Sequence, residues 1–182
     1  MRPPSPYRRV ARREVYRNPW VAVEVHDIVH PTGASGEHVL IATGRASGVL
    51  VVDGDAFVLA RQGRFAADAH VLEIVKGGAD EGENALACAQ RELREELGLE
   101  AKNWTPLGIV YEIPSIVQYP VALFVAGDLR AVPTAQEHVE AIDAARLPIA
   151  DAYRAAADGR IDDAVTLAAF LRYRLLTRET AS

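Results

Sequence analysis

Gly77-Gly78-Ala79-Asp80-Glu81-Gly82-Glu83-Asn84-Ala85-Leu86-Ala87-Cys88-Ala89-Gln90-Arg91-Glu92-Leu93-Arg94-Glu95-Glu96-Leu97-Gly98-Leu99 is the stretch on which the reading of this chain turns. From Asn84 to Leu97 it predicts a helix. The Asn84 side-chain oxygen can cap the first turn, and Gly98 followed by apolar Leu99 is a left-handed stop. At 100° per residue, Leu86, Ala89, Leu93 and Leu97 gather into one apolar stripe for a core. Glu92, Glu95 and Glu96 fall beside that stripe, where each like-charge pair costs a helix about 0.2–0.5 kcal/mol. Arg91 stands one turn before Glu95 and can pair with it. Glu92 and Glu96 have no basic residue at such spacing, so something else must neutralise them.

The charge balance points to the same place. Between Gly77 and Glu100 lie seven acids and two bases, which is the whole net charge of −5; the rest of the chain holds 18 of each sign. A focus of negative charge suits a cation rather than nucleic acid, which needs clustered bases. The carboxylates either face water or hold an ion. Ala85 and Cys88 lie on the same face one and two turns earlier, where small side chains admit another backbone, and Lys76-Gly77-Gly78 can supply it. Carboxylates joined by a backbone carbonyl form a hard oxygen site, suited to Mg²⁺ or Mn²⁺ rather than zinc. Cys88 then reads as a small packing residue.

Working outward, Val21–His30 and Glu37–Ala42 are β-rich and flank the turn residues 31–36. Val49–Val52 and Ala56–Leu59 flank Asp53-Gly54-Asp55, a hairpin signal. Val71–Val75 reads as a strand cut off by Gly77-Gly78, and Leu107–Tyr111 and Val121–Ala126 as strands after the helix. Pro148 begins a helix through Ala157, and Asp162 opens a last one to about Leu176, with Val165, Ala168, Leu171 and Leu175 as its core stripe. Arg8, Arg9, Arg12 and Arg13 read as a solvated basic tail. The fold class is mixed α/β: a tail and antiparallel β segment over residues 1–45, then one domain over 46–182. A single cysteine excludes a disulfide framework, and no apolar run reaches the ~18 residues of a membrane span. The expectation is a cytoplasmic chain without membrane or nucleic-acid partners.

Gly77, five residues, Glu83, seven residues, then Arg91-Glu92-Leu93-Arg94-Glu95-Glu96-Leu97-Gly98-Leu99 resembles the complete Nudix box, with all nine specified positions filled. The resemblance implies the Nudix fold, a mixed β-sheet sandwiched between helices, over 46–182. It implies metal-dependent hydrolysis of a nucleoside diphosphate linked to another moiety. Carried over position by position, it makes Glu92 and Glu96 the principal ligands of Mg²⁺ (or Mn²⁺), with Glu95 a further ligand or orienting group and the Lys76 carbonyl completing the set. Glu83 and Arg91 become a structural ion pair.

Beyond the box, the chain is similar to ADP-ribose pyrophosphatases and ADP-compound hydrolases. Tyr16-Arg17-Asn18-Pro19-Trp20 resembles their N-terminal aromatic segment. Arg61-Gln62-Gly63-Arg64 resembles their strand end where an arginine meets a substrate phosphate, and Pro114 stands at their marker position, fifteen residues after Leu99. The Pro114-Ser115 and Lys76-Gly77 pairs look more like the ADP-compound hydrolases. The implied substrate is ADP-ribose or a related ADP compound; another sugar nucleotide, NADH, or a nucleotide-sensing domain are the alternatives. The family's acidic loop falls on Thr134–Ile142, which makes Glu140 the general base, ahead of Glu137 and His138. Glu73 is either second to the substrate site or a strand residue pairing with Arg64. Trp20 either stacks on adenine, across a homodimer that exchanges N-terminal strands, or fills a core.

Overall fold

The structure is a computed structural model that describes residues 3–134 and 142–179. Along the chain run β1 (Arg8–Arg17), β2 (Ala22–Val29), β3 (Ser35–Ala42), β4 (Ala46–Asp53), β5 (Ala56–Arg64), β6 (Ala69–Glu73), β7 (Val75–Gly78), α1 (Ala85–Leu97), β8 (Leu99–Tyr111), β9 (Val117–Gln118), β10 (Pro120–Ala131), β11 (Asp143–Pro148), α2 (Ile149–Ala157) and α3 (Ala164–Glu179). They divide into two compact units: residues up to Gly44 with Tyr111–Pro120, and Arg45–Val110 with the chain from Val121 onward.

The first unit is a sheet in the order β1-β2-β3-β9, antiparallel except for the short parallel pairing of β9 on β3. Alternation along β2 buries Ala22, Glu24, His26 and Ile28 on one face, as the two-residue period of a strand requires. The buried Glu24 accepts from His26 at 2.8 Å and from Arg12 at 3.2 Å. The expected basic tail is therefore corrected. Arg8, Arg9, Arg12 and Arg13 lie on a ten-residue strand, exposed along its length but paired to β2. Acids on the neighbouring strands draw it in: Arg12 meets Glu24, and Arg13 meets Glu37 at 2.9 Å. Trp20 sits in the turn between β1 and β2, where Asn18 Oδ1 accepts the N–H groups of Trp20 and Val21. It is 76% exposed, so the core alternative for Trp20 is overturned.

The second unit is built on a sheet ordered β11-β5-β4-β10-β8, with β6 against β5 and β7 against β4. β4 pairs parallel with β10 and antiparallel with β5 and β7, which makes the sheet mixed. Ala46–Val51 is buried residue after residue, as a strand covered on both faces must be. Val49 and Val51 pack with Ala89 and Leu93 of α1. Phe57 stacks on Phe170 of α3 at 4.8 Å and meets Tyr153 of α2 edge-on. Helices thus cover both faces of the mixed sheet.

Several expected elements change. The strand expected over Val71–Val75 divides at Ile74, β6 turning to β5 and β7 to β4; the glycines continue the ladder, Gly77 opposite Ser47 and Gly78 opposite Ala46. β11 was not anticipated, and β8 begins at Leu99 rather than Leu107. The last helix opens at Ala164, with Asp163 rather than Asp162 accepting the Thr166 N–H at 2.8 Å. On α3 the buried residues include Val165, Ala169 and Phe170, whereas Leu171 and Leu175 are 58% and 51% exposed. The buried face is offset from the expected stripe: it keeps Val165 but runs through Thr166, Ala169 and Phe170 in place of Leu171 and Leu175. Leu86 of α1 is also exposed, lying in the first turn outside the packed cluster.

Candidate active site on the acidic helix

Local chemistry holds α1 where the pattern places it. Asn84 Oδ1 accepts the Ala87 N–H at 2.9 Å, and Gly98, at φ +61°, returns its own N–H to the Arg94 carbonyl. Ala89 and Leu93 are fully buried, which turns Cys88, Glu92 and Glu96 toward the protein and leaves Glu95 half-exposed. Ser47 Oγ on β4 donates to the Ala85 carbonyl at 2.7 Å, and the Cys88 thiol donates to the Gly77 carbonyl at 3.5 Å. The backbone expected to approach the small residues of α1 is that of β7. Burial pushes the Cys88 thiol up from its ordinary pKa, as suits a packing residue.

Gly77 is the closest approach. A Cβ there would lie 1.8 Å from Glu92 Cδ and 1.9 Å from its Oε1. The glycine is required by space and not by a left-handed dihedral. It leaves a cradle that the Glu92 carboxylate fills.

Arg91 ties the rest together. Its Nε and Nη2 donate to the two oxygens of Glu83 at 3.1 and 3.0 Å, and Nη2 also donates to the Gly78 carbonyl at 2.7 Å. Its Nη1 donates to Glu92 Oε1 at 2.7 Å and to Glu95 Oε2 at 2.9 Å. The expected Glu83–Arg91 and Arg91–Glu95 pairs are both present. The expectation that Glu92 lacks a basic partner is corrected, because a single guanidinium nitrogen, Nη1, carries two hydrogens and reaches Glu92 as well as Glu95. The hydrogen bonds from Arg91 hold the Glu83 carboxyl below its usual range, and Glu83 in turn raises the pKa of Arg91. Beside Arg91 and Glu95 opens a cavity of about 480 Å³, whose other walls include Gln90, Arg94, Glu100 and Trp104.

A second charged cluster lies in the same unit. Glu73 is 1% exposed and accepts from Gln62 Nε2 at 2.8 Å and Arg64 Nε at 2.7 Å. The expected pairing with Arg64 is present. Gln62 and Arg64 share a face of β5; Arg61, one residue out of phase, is exposed on the other. Lys76, whose side chain had no expected role, sends that side chain back to Glu73 and to Asp163. Gln62 was expected only as part of the strand-end motif, and no site role was expected of Asp163 or Thr166. Nothing in local spacing joins residues so far apart; only the capping pattern of α3 marked its start. Glu140, Glu137 and His138 lie outside the described residues. Trp20 and Pro114 belong to the first unit.

The donor set fits a hard divalent cation. Glu92 and Glu96 are buried carboxylates one turn apart on α1, and Gly77 leaves no side chain between Glu92 and the backbone of β7. Among the described residues, no three His, Cys, Asp or Glu side chains form a closed cage, so backbone oxygen and solvent would have to complete a coordination sphere.

Residues 42–170 match the NUDIX domain model. The chain belongs to the Nudix family. Over 160 residues it is 25% identical to an ADP-ribose pyrophosphatase of Bacillus subtilis (strain 168), covering 86% of each chain. Over 169 residues it is 29% identical to an ADP-ribose pyrophosphatase of Mycobacterium tuberculosis (strain ATCC 25618 / H37Rv), covering 91% of this chain and 76% of the relative. A solved structure described as an ADP compounds hydrolase superposes with a TM-score of 0.86 at 22% identity, covering 99% of this Nudix chain and 98% of the other. That likeness establishes the Nudix fold, including the mixed sheet between helices. No described helix is long and apolar enough to cross a membrane.

Proposed function

We propose that this Nudix protein hydrolyses the pyrophosphate bond of a nucleoside diphosphate linked to another moiety, ADP-ribose or a related ADP compound, releasing AMP and a phosphorylated moiety. The observation that carries the reading is Arg91 gathering Glu83, Glu92 and Glu95 on one side of α1, with Gly77 cleared away above Glu92. The two ADP-ribose pyrophosphatases similar over most of the chain support the substrate class.

Nudix hydrolases depend on divalent metal, and the donors here favour Mg²⁺ or Mn²⁺. Glu92, Glu96 and the Lys76 carbonyl would hold it, with Glu95 as a further ligand. When bound, the ion supplies neutralisation of the pyrophosphate oxygens and makes water a better nucleophile. Arg91 and Glu83 orient Glu92 and Glu95. Arg64 meets a substrate phosphate, Arg61 lies near the same strand end, and Glu73 holds Arg64. Glu140 takes the proton from the attacking water as the new P–O bond forms and the bridging P–O bond breaks. Trp20, exposed in its turn, offers a face for adenine stacking. β1, an exposed edge strand, supports a homodimer in which residues 1–45 exchange between subunits around the domain 46–182. We infer a cytoplasmic protein without a nucleic-acid or membrane partner, a reading that the small-nucleotide substrate class supports.

The test is a panel of nucleoside diphosphate derivatives with Mg²⁺, scored for released AMP or other monophosphate. ADP-ribose or another ADP compound should be turned over fastest. A faster sugar nucleotide or NADH would move the substrate, and no turnover of any member would leave a nucleotide-sensing domain.

A further inference from the structure

The proposed reaction gives the Lys76 side chain no task, yet its position is costly. Lys76 Nζ donates to Glu73 Oε2 at 2.9 Å and to Asp163 Oδ1 at 2.6 Å, and all three side chains are largely buried. The other oxygen of Asp163 accepts the Thr166 N–H at 2.8 Å and its hydroxyl at 2.6 Å. The Thr166 hydroxyl accepts the Ile74 N–H at 2.9 Å. A continuous path runs from Arg64, through the other oxygen of Glu73 and Lys76, to the first turn of α3.

The charges decide what the path does. Arg64 and Lys76 balance Glu73 and Asp163. A buried carboxylate left without its cation is strongly unfavourable, so without Lys76 both acids would turn their field on what remains. What remains is Arg64, whose side chain is 40% exposed and is the one member of the four open enough to meet a ligand. An excess acid behind that guanidinium would cancel its attraction for a phosphate. Lys76 takes up the second oxygen of Glu73 and leaves Glu73 acting on Arg64 as a directional acceptor rather than an uncompensated charge.

We propose that Lys76 is a positioning residue for substrate phosphate. Acting through Glu73, it sets the direction and net charge of Arg64, and Asp163 holds it in that role. The proposal rests on the reading of Arg64 as a phosphate contact.

The experiment uses the full chain with saturating Mg²⁺. It measures kcat and KM for ADP-ribose, the competitive inhibition constant of inorganic pyrophosphate, and the melting temperature. The variants are Lys76→Met, Lys76→Arg, Asp163→Asn, the Lys76→Met/Asp163→Asn double, and Arg64→Gln. Lys76→Met should raise KM and the pyrophosphate constant together by about tenfold, less than the roughly thirtyfold or more of a directly lost buried charge pair because Lys76 acts at one remove, with kcat altered much less. Lys76→Arg should keep both near the parent values. The double variant should recover most of the loss, because the cluster is again balanced, although its melting temperature stays low. If Lys76→Met fails to fold, Asp163→Asn decides: it leaves an excess positive charge and should tighten pyrophosphate. Melting temperatures that fall while KM and the pyrophosphate constant stay put, or a double variant weaker than Lys76→Met, overturn the proposal. A pyrophosphate constant unmoved in Arg64→Gln removes the phosphate contact and this proposal, leaving pyrophosphate hydrolysis standing. No turnover of ADP-ribose by the parent protein, with a pyrophosphate constant that still follows the cluster's charge, refutes the substrate and sustains the role of Lys76.

Discussion

Adding one methyl group at Gly77 should disable the site while leaving the fold standing. The Cβ of Gly77→Ala would lie 1.8 Å from Glu92 Cδ, where ordinary contact needs at least 3.4 Å, so the carboxylate must retreat by about 1.6 Å. Its hydrogen bond to Arg91, now 2.7 Å, breaks unless the guanidinium follows. If Arg91 follows, it leaves Glu83 and Glu95. Misplacing a reacting or ligating group by about 1 Å can cost roughly 10²-fold in rate, so kcat/KM for ADP-ribose should fall by about that factor or more. Overpacking costs about 1–3 kcal/mol, which for a chain of this size lowers the melting temperature by about 2–4 °C per kcal/mol. Gly78→Ala is the matched control: its Cβ meets nothing within 4 Å, and its dihedrals are ordinary. Steady-state rates across a Mg²⁺ titration, with melting curves on both variants, make the comparison. Equal behaviour of the two would refute the reasoning, because it would mean that Glu92 does not occupy the space Gly77 leaves.

Glu96→Gln keeps the volume of a buried side chain and removes its charge, so the protein should fold normally yet need at least about tenfold more Mg²⁺ for half-maximal rate; an unchanged rate at limiting Mg²⁺ counts against a ligand role. Arg91→Ala should lose rate and also about 2 kcal/mol of stability by denaturant melts, less than a fully buried pair because the side chain is partly open to solvent. Glu140→Gln should cut the single-turnover rate roughly 10²–10⁴-fold with KM little changed, and Glu137→Gln far less; the reverse order would make Glu137 the base. Asp163 is held below its ordinary value: burial, the largest single effect, opposes this, but the Lys76 charge and the hydrogen bonds from Lys76 and Thr166 together outweigh it. A lowered folded pKa means stability that is present above the unfolded value of ~3.9 and is lost as pH falls through the folded one. Below about pH 4 the parent should therefore lose stability more steeply with falling pH than Asp163→Asn; parallel pH dependence of melting in the two would contradict the assignment.

The acidic helix was legible because everything that shapes it lies within one short segment. Cap, stripe, stop and carboxylates are all spaced along Asn84–Leu99, and helical periodicity alone turns them into a face. The hairpin over Asp53-Gly54-Asp55 was legible for the same reason. β1 was not, because adjacent arginines are indistinguishable from a solvated tail until the fold brings Glu24 of β2 and Glu37 of β3 within their reach. β11 is likewise defined by its partner, Arg61 facing Asp143 across the ladder, and not by its own pattern. The burial of α3 depends on which side faces Phe57, and the helix's own sequence is too evenly mixed to say.

The site divides along the same line. Gly77, Glu83 and Arg91 converge because one tight turn returns the chain onto its own helix, so their spacing encodes their meeting. Lys76 and Asp163 converge only because β7 and α3 are each docked on β4 and its neighbours, and no spacing records that. The two kinds of convergence should also fail differently. Residues joined through the short turn should respond to substitution as one unit, since Arg91 binds Glu83, Glu92 and Glu95 at once, and a double variant of Arg91 and Glu83 should cost little more than either alone. Lys76 and Asp163, joined across the fold by one pair of charges, should instead compensate when both are removed. Losses that fail to add in the first cluster, against single-variant effects of opposite direction that cancel in the double in the second, read in KM and in the pyrophosphate constant, would separate a locally encoded site from one assembled by tertiary packing.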